Sequence, residues 1–165
     1  MDYKHYLDIF QRAADNLDKR QLQKKQIKVA VGEVLSSVFL KLYKNSWTNQ
    51  FQSPLTAATR IFFSIWVNNS TLGKQKLFYN IHALKLRHLE GYSIQSRKFA
   101  DSFRKRFKDH EHNWQNISVN FGPLTLMEGW LKIDRENLQS DIVKLANNFI
   151  EMEHLIDNTL KDFKS

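Results

Sequence analysis

Apolar residues return every three or four positions at the start of the chain. Tyr3, Leu7, Phe10, Ala14 and Leu17 share one helical face, which predicts an amphipathic helix over 3–22. A second stripe of Ile27, Val31, Val34, Val38 and Leu42, widened by Leu35 and Phe39, predicts a helix over 24–44. The polar run "DKRQLQKKQIK" between them reads equally as a joint or as an exposed turn of one long helix. Asn, Ser and Pro in "NSWTNQFQSP" mark 45–54 as a loop.

The period then changes. Ile61, Phe63, Ile65 and Val67 alternate with Phe62, Ser64 and Trp66, which predicts a strand buried on both faces. A helix capped at Ser53-Pro54, with Leu55, Ala58, Phe62 and Ile65 on one side, is the competing reading. "KLFYNIHALKLRHLEGY" carries both periods too, and is assigned as a strand because 60–67 needs a neighbour. Two further strands are expected, through Ile117, Val119 and Phe121 and then through Leu124, Leu126 and Trp130, with Gly122-Pro123 turning between them.

Ser96–Trp114 predicts a helix. At about 100° per residue, Phe99, Phe103, Phe107, His110 and Trp114 gather on one side, while Arg97, Arg104 and Lys108 lie on the other with Asp101 among them. From Asp134, Leu138, Ile142, Leu145, Phe149, Met152, Ile156 and Phe163 follow a heptad-like spacing, which predicts one C-terminal helix over 134–163, about 45 Å long. The expected architecture is a single α+β domain over 1–165. A helical part (1–45) and the C-terminal helix (134–163) pack with a mixed region (55–133) that holds a small, mostly antiparallel, four-stranded sheet. An all-α fold of six or seven helices is the alternative.

Composition narrows the chemistry. There is no cysteine, which removes disulfides, thiolate ligands and cysteine nucleophiles. In "DHEH" the two histidines point about 200° apart on a helix and cannot share an ion, so neither a metal nor a cofactor is expected. Glu90, Asp101, Asp109 and Glu111 are the only acids between residues 34 and 127, which disfavours two-carboxylate hydrolysis and a magnesium nuclease. No glycine loop suited to phosphate and no Gly-x-Ser-x-Gly elbow is present. The N-terminus has acids where a secretory leader needs bases, and no apolar run reaches membrane-spanning length; the expectation is a soluble cytoplasmic protein without a membrane partner.

The net charge of +8 is unevenly placed: residues 1–92 contribute +8, 93–114 contribute +3 and 115–165 contribute −3. Three functions are therefore expected, in descending order. The first is a non-enzymatic interaction or oligomerising domain, a homodimer or a complex with a protein partner, using Leu138, Ile142, Leu145, Phe149, Met152 and Ile156 as its seam. The second is weak, salt-dependent nucleic-acid binding through Arg97, Arg104 and Lys108 with Lys74, Lys76, Lys85 and Arg87. The third is a small-molecule enzyme using His82 with Arg87 or Tyr92.

Overall fold

The stretch whose apolar spacing suits a second helix is a β-hairpin in the computed structural model, which describes residues 1–165. Its strands are β1 (Lys28–Val34) and β2 (Ser37–Tyr43), paired antiparallel from Lys28↔Tyr43 to Val34↔Ser37. Valines at 29, 31 and 38 with Leu40 and Leu42 also satisfy a two-residue period, and β-branched side chains favour the strand once a neighbour exists. The turn residues Leu35 and Ser36 both have positive φ, 48° and 65°. This is the two-residue hairpin geometry, reached without the usual Asn-Gly. Leu35 is 94% exposed, so it belongs to no apolar stripe.

Strands β3 (Arg60–Val67), β4 (Lys76–Leu84) and β5 (Thr125–Lys132) complete a five-stranded sheet in sequence order, with every neighbouring pair antiparallel. The chain is thus α+β, with one strand more than expected, and the all-α alternative is excluded. The expected strand through Ile117 and Val119 is reduced to one bridge, Ser118↔Glu128, on the outer edge of β5.

Helices take shorter bounds than their apolar patterns. The first breaks into α1 (Tyr3–Asp15) and α2 (Lys19–Lys24), because the Asp18 carboxylate accepts from the backbone N–H groups of Arg20 and Gln21 and starts a new helix. After β3 comes α3 (Asn69–Gly73), opened by a capping box between Asn68 and Thr71. Helix α4 covers Ser96–Phe107, and its expected last turns become a 3-10 turn at Glu111–Asn113. The C-terminal helix begins later than Asp134 and is interrupted at Glu153, giving α5 (Leu138–Met152) and α6 (His154–Lys161). At that interruption the Ile156 N–H donates to the Glu153 carbonyl, a tighter turn than the α-helix.

The helices build one layer on one face of the sheet. Phe149 of α5 stacks on Phe63 of β3 at 4.6 Å and 8°. Helix α1 lies against α5 and the hairpin, and α4 against α6 and β5. Thirty-nine buried residues from Phe10 to Leu160 form one continuous core. Leu138, Ile142, Leu145, Phe149, Met152 and Ile156 all belong to it, none more than 5% exposed. The heptad-like stripe is therefore turned into the chain's own core and displays no seam to a second copy. No helix is long and apolar enough to cross a membrane.

Candidate functional site

Successive strand residues point to opposite sides, so the side chains not facing the helices form a second, open face. The register arranges that face in rows. Phe39, Trp66, Phe78 and Trp130 are neighbours across β2 to β5, with Gly32 of β1 beside Phe39. A Cβ on Gly32 would stand 3.1 Å from the Phe39 ring, so glycine there lets the ring lie over β1. The next row is Ala30, Lys41, Ser64, Asn80 and Glu128. Beyond it lie Tyr43, Phe62, His82 and Thr125.

Ser64 and Asn80 are 4% and 3% exposed, whereas Phe39, Trp66, Phe78 and Trp130 are half-buried. The short polar residues thus form the floor of a trough walled on one side by these half-buried rings, while Tyr43 and Phe62 on its other side are buried like the floor. Trp66 and Phe78 stack at 5.2 Å. Cations hang over the rings: Lys41 Nζ lies 4.5 Å from the centre of Phe39 and 4.7 Å from Phe62, and Lys76 Nζ lies 4.0 Å from Trp130. Arg60 stands 5.1 Å from Phe62. Such contacts hold each cation on an electron-rich ring face.

The face carries Lys28, Lys41, Arg60, Lys76 and Lys132 against the single carboxylate of Glu128. Burial, and then the nearby Arg60 charge, push the Lys41 ammonium below its ordinary value. Burial also lowers Arg60. An anion settling on the trough would relieve the repulsion between these two cations.

His82 is on this face as well. Its Nδ1 lies 3.3 Å from the Leu124 carbonyl oxygen and 3.4 Å from Thr125 Oγ1. The carbonyl requires Nδ1 to donate, which leaves Nε2 as an acceptor. Burial lowers its pKa first of all; Lys41 and Arg60 lower it further, while the Leu124 bond and Glu128 oppose them. Neither Arg87 nor Tyr92 hydrogen-bonds to it: Arg87 lines a separate cavity of about 500 Å³ with Lys85, His88 and Ser96, and Tyr92 is bridged to Lys164.

The basic residues singled out from the sequence do not form one patch. Lys74 and Lys76 lie at one end of β4 and Lys85 and Arg87 at the other, about 30 Å apart along the strand. Of these only Lys76 joins the aromatic trough. Arg97 and Lys108 are exposed at opposite ends of α4.

Arg104 is not outward. Its Nε donates to the Leu126 carbonyl at 3.1 Å, and one terminal nitrogen reaches the carbonyls of Phe121, Gly122 and Thr125 at 2.9–3.1 Å. It pins the turn before β5 to α4. Arg104→Ala is expected to lower the unfolding free energy by about 2 kcal/mol in urea titration. Arg97→Ala, at an exposed position of the same helix, should stay within about 0.5 kcal/mol of the parent.

Sequence reasoning missed most of the trough. The signal is an alternation of ring and charge at period two: Phe39, Lys41, Tyr43; Arg60, Phe62, Ser64, Trp66; Lys76, Phe78, Asn80, His82; Glu128, Trp130, Lys132. It surfaces only when the first of these runs is recognised as a strand. No protein-family model, no curated protein and no solved structure matches the chain.

Proposed function

We propose that the protein is a non-enzymatic binding protein that takes single-stranded nucleic acid on the open face of its sheet. The observation that carries this reading is the interleaving of half-buried rings with five cations on one face. Rings stack on bases of any sequence, and cations neutralise the phosphates between them. Duplex bases are already stacked on one another, so this chemistry favours single strands. Interaction with a protein partner would use the rings but would gain little from so one-sided a charge.

Fluorescence anisotropy with a labelled oligothymidylate of about ten nucleotides tests the proposal. Binding is expected at about 50 mM salt and should fall steeply by about 200 mM. Trp66→Ala or Phe78→Ala should each cost about 1–3 kcal/mol of affinity, with the unfolding midpoint measured alongside. A duplex of the same length should bind more weakly. No binding to the single strand at low salt overturns the reading.

A further inference from the structure

Resting on that reading, we infer that Glu128 makes the trough selective for guanine. Among five cations, a carboxylate is the group least suited to hold a phosphate. It is well suited to accept N–H bonds from a base edge. The structure holds this carboxylate in place without neutralising it. Ser64 Oγ donates to Asn80 Oδ1 at 2.7 Å, and Asn80 Nδ2 donates to Glu128 Oε1 at 3.1 Å. Both Ser64 and Asn80 are buried, so the chain of hydrogen bonds fixes the rotamer from below. The ion pairs of the protein join Lys44 to Glu153 and Asp157, and Arg106 to Asp162; none engages Glu128. Its second oxygen accepts no hydrogen bond within the protein.

Guanine matches that arrangement. Its Watson–Crick edge presents two adjacent donors, the ring N1–H and the exocyclic amine, which meet the two oxygens of a carboxylate. Adenine and cytosine offer one amine beside an acceptor nitrogen that a carboxylate repels. Thymine offers one N–H between two carbonyls. A ring for the base to stack on is adjacent: Phe78 precedes Asn80 by two residues on the same face and is already stacked with Trp66. A base extending that stack turns its edge toward Asn80 and Glu128. Lys76 and Lys41, on either side, remain for the flanking phosphates.

The test compares oligothymidylates of about ten nucleotides that carry one central guanine, inosine, adenine or cytosine. The guanine strand is expected to bind about ten-fold tighter than the adenine and cytosine strands. Inosine, which lacks the exocyclic amine, should lose several-fold of that gain. Glu128→Gln should erase the guanine preference, so that the guanine, adenine and cytosine strands bind this variant alike. The guanine–inosine comparison on the unaltered protein stands whether or not the variant folds. Equal affinity for all strands, with Trp66→Ala still weakening each, overturns guanine selection and leaves the nucleic-acid reading standing. A guanine preference that survives in Glu128→Gln also overturns it. If no strand binds, both readings fall.

Discussion

Phe149→Ala is expected to lower the unfolding free energy by about 3–5 kcal/mol without changing the oligomeric state. Phe149 has no solvent exposure. Its ring stacks on Phe63 at 4.6 Å and meets the edge of Trp47 at 6.1 Å and 81°, so it joins α5 to both β3 and the turn after β2. Truncation removes the ring's transfer free energy and leaves a void among rigid aromatic neighbours that cannot collapse into it. Urea unfolding at two protein concentrations measures the loss, and sedimentation reads the association state. Were the heptad-like stripe a seam between copies, the unfolding midpoint would depend on concentration and the variant would dissociate. With the stripe in the chain's own core, the substitution should lower the midpoint by the same amount at both concentrations and leave the association state of the parent unchanged.

Lys44→Met is expected to cost a similar amount, about 3–5 kcal/mol, for an electrostatic reason. Lys44 ends the path of β2 toward the core and is 7% exposed. Its Nζ lies 2.6 Å from a carboxylate oxygen of Glu153 and 2.6 Å from one of Asp157, while Trp47 Nε1 donates to the other Asp157 oxygen at 2.8 Å. Glu153 sits where α5 gives way to α6, so the lysine secures the interruption in the C-terminal helix. Apart from the Lys44 ammonium, no donor meets Glu153 Oε2, so the lysine is what compensates it. Removing the lysine strands a buried carboxylate. The double variant Lys44→Met with Glu153→Met should recover most of the loss, because two apolar side chains of similar volume replace the pair.

The pH dependence of the same contact has a definite sign. Burial by itself lowers the Lys44 ammonium, but the hydrogen bonds and charges of Asp157 and Glu153 outweigh it and hold the pKa above the ordinary lysine value. A group whose pKa is raised by folding contributes its full stability below its unfolded pKa. That contribution is lost only as pH climbs through the folded value. Between neutrality and about pH 9, then, thermal midpoints of the parent should show no loss from this group. Decline belongs to the strongly alkaline range and should be absent from the double variant.

Several elements were legible in the residue order for direct physical reasons. β3 was legible because a strand that buries most of both faces places large or β-branched residues at successive positions, as Ile61 to Val67 do; β4 carried both periods and was assigned only as its neighbour. The buried side of α4 was legible because Phe99, Phe103 and Phe107 repeat at the helical period, and all three are fully buried. The hairpin was not legible. Ile27, Val31, Val34, Val38 and Leu42 fit a helical face as well as valine alternation fits a strand, and no Asn-Gly marks the turn at Leu35-Ser36. The choice lies with β3, whose edge pairs with β2 and rewards the extended form.

Local order and periodicity are short-range properties, and they sufficed for the α+β class, the strand β3, the buried aromatic side of α4 and the absence of cysteine chemistry. They are indifferent to which surface an apolar stripe meets. Leu138 to Ile156 has the spacing of a helical seam whether its partner is another chain or its own sheet, and burial against Phe63 and Trp47 decides for the sheet. The same limit hides the trough. Lys41, Ser64, Asn80 and Glu128 lie on four strands and form one row only through antiparallel register. Arg104 shows the converse. Helical rotation places it opposite the aromatic side of α4, toward water, yet the turn before β5 and the first two residues of β5 lie across it and each offer two carbonyls, and hydrogen bonding to them outweighs solvation.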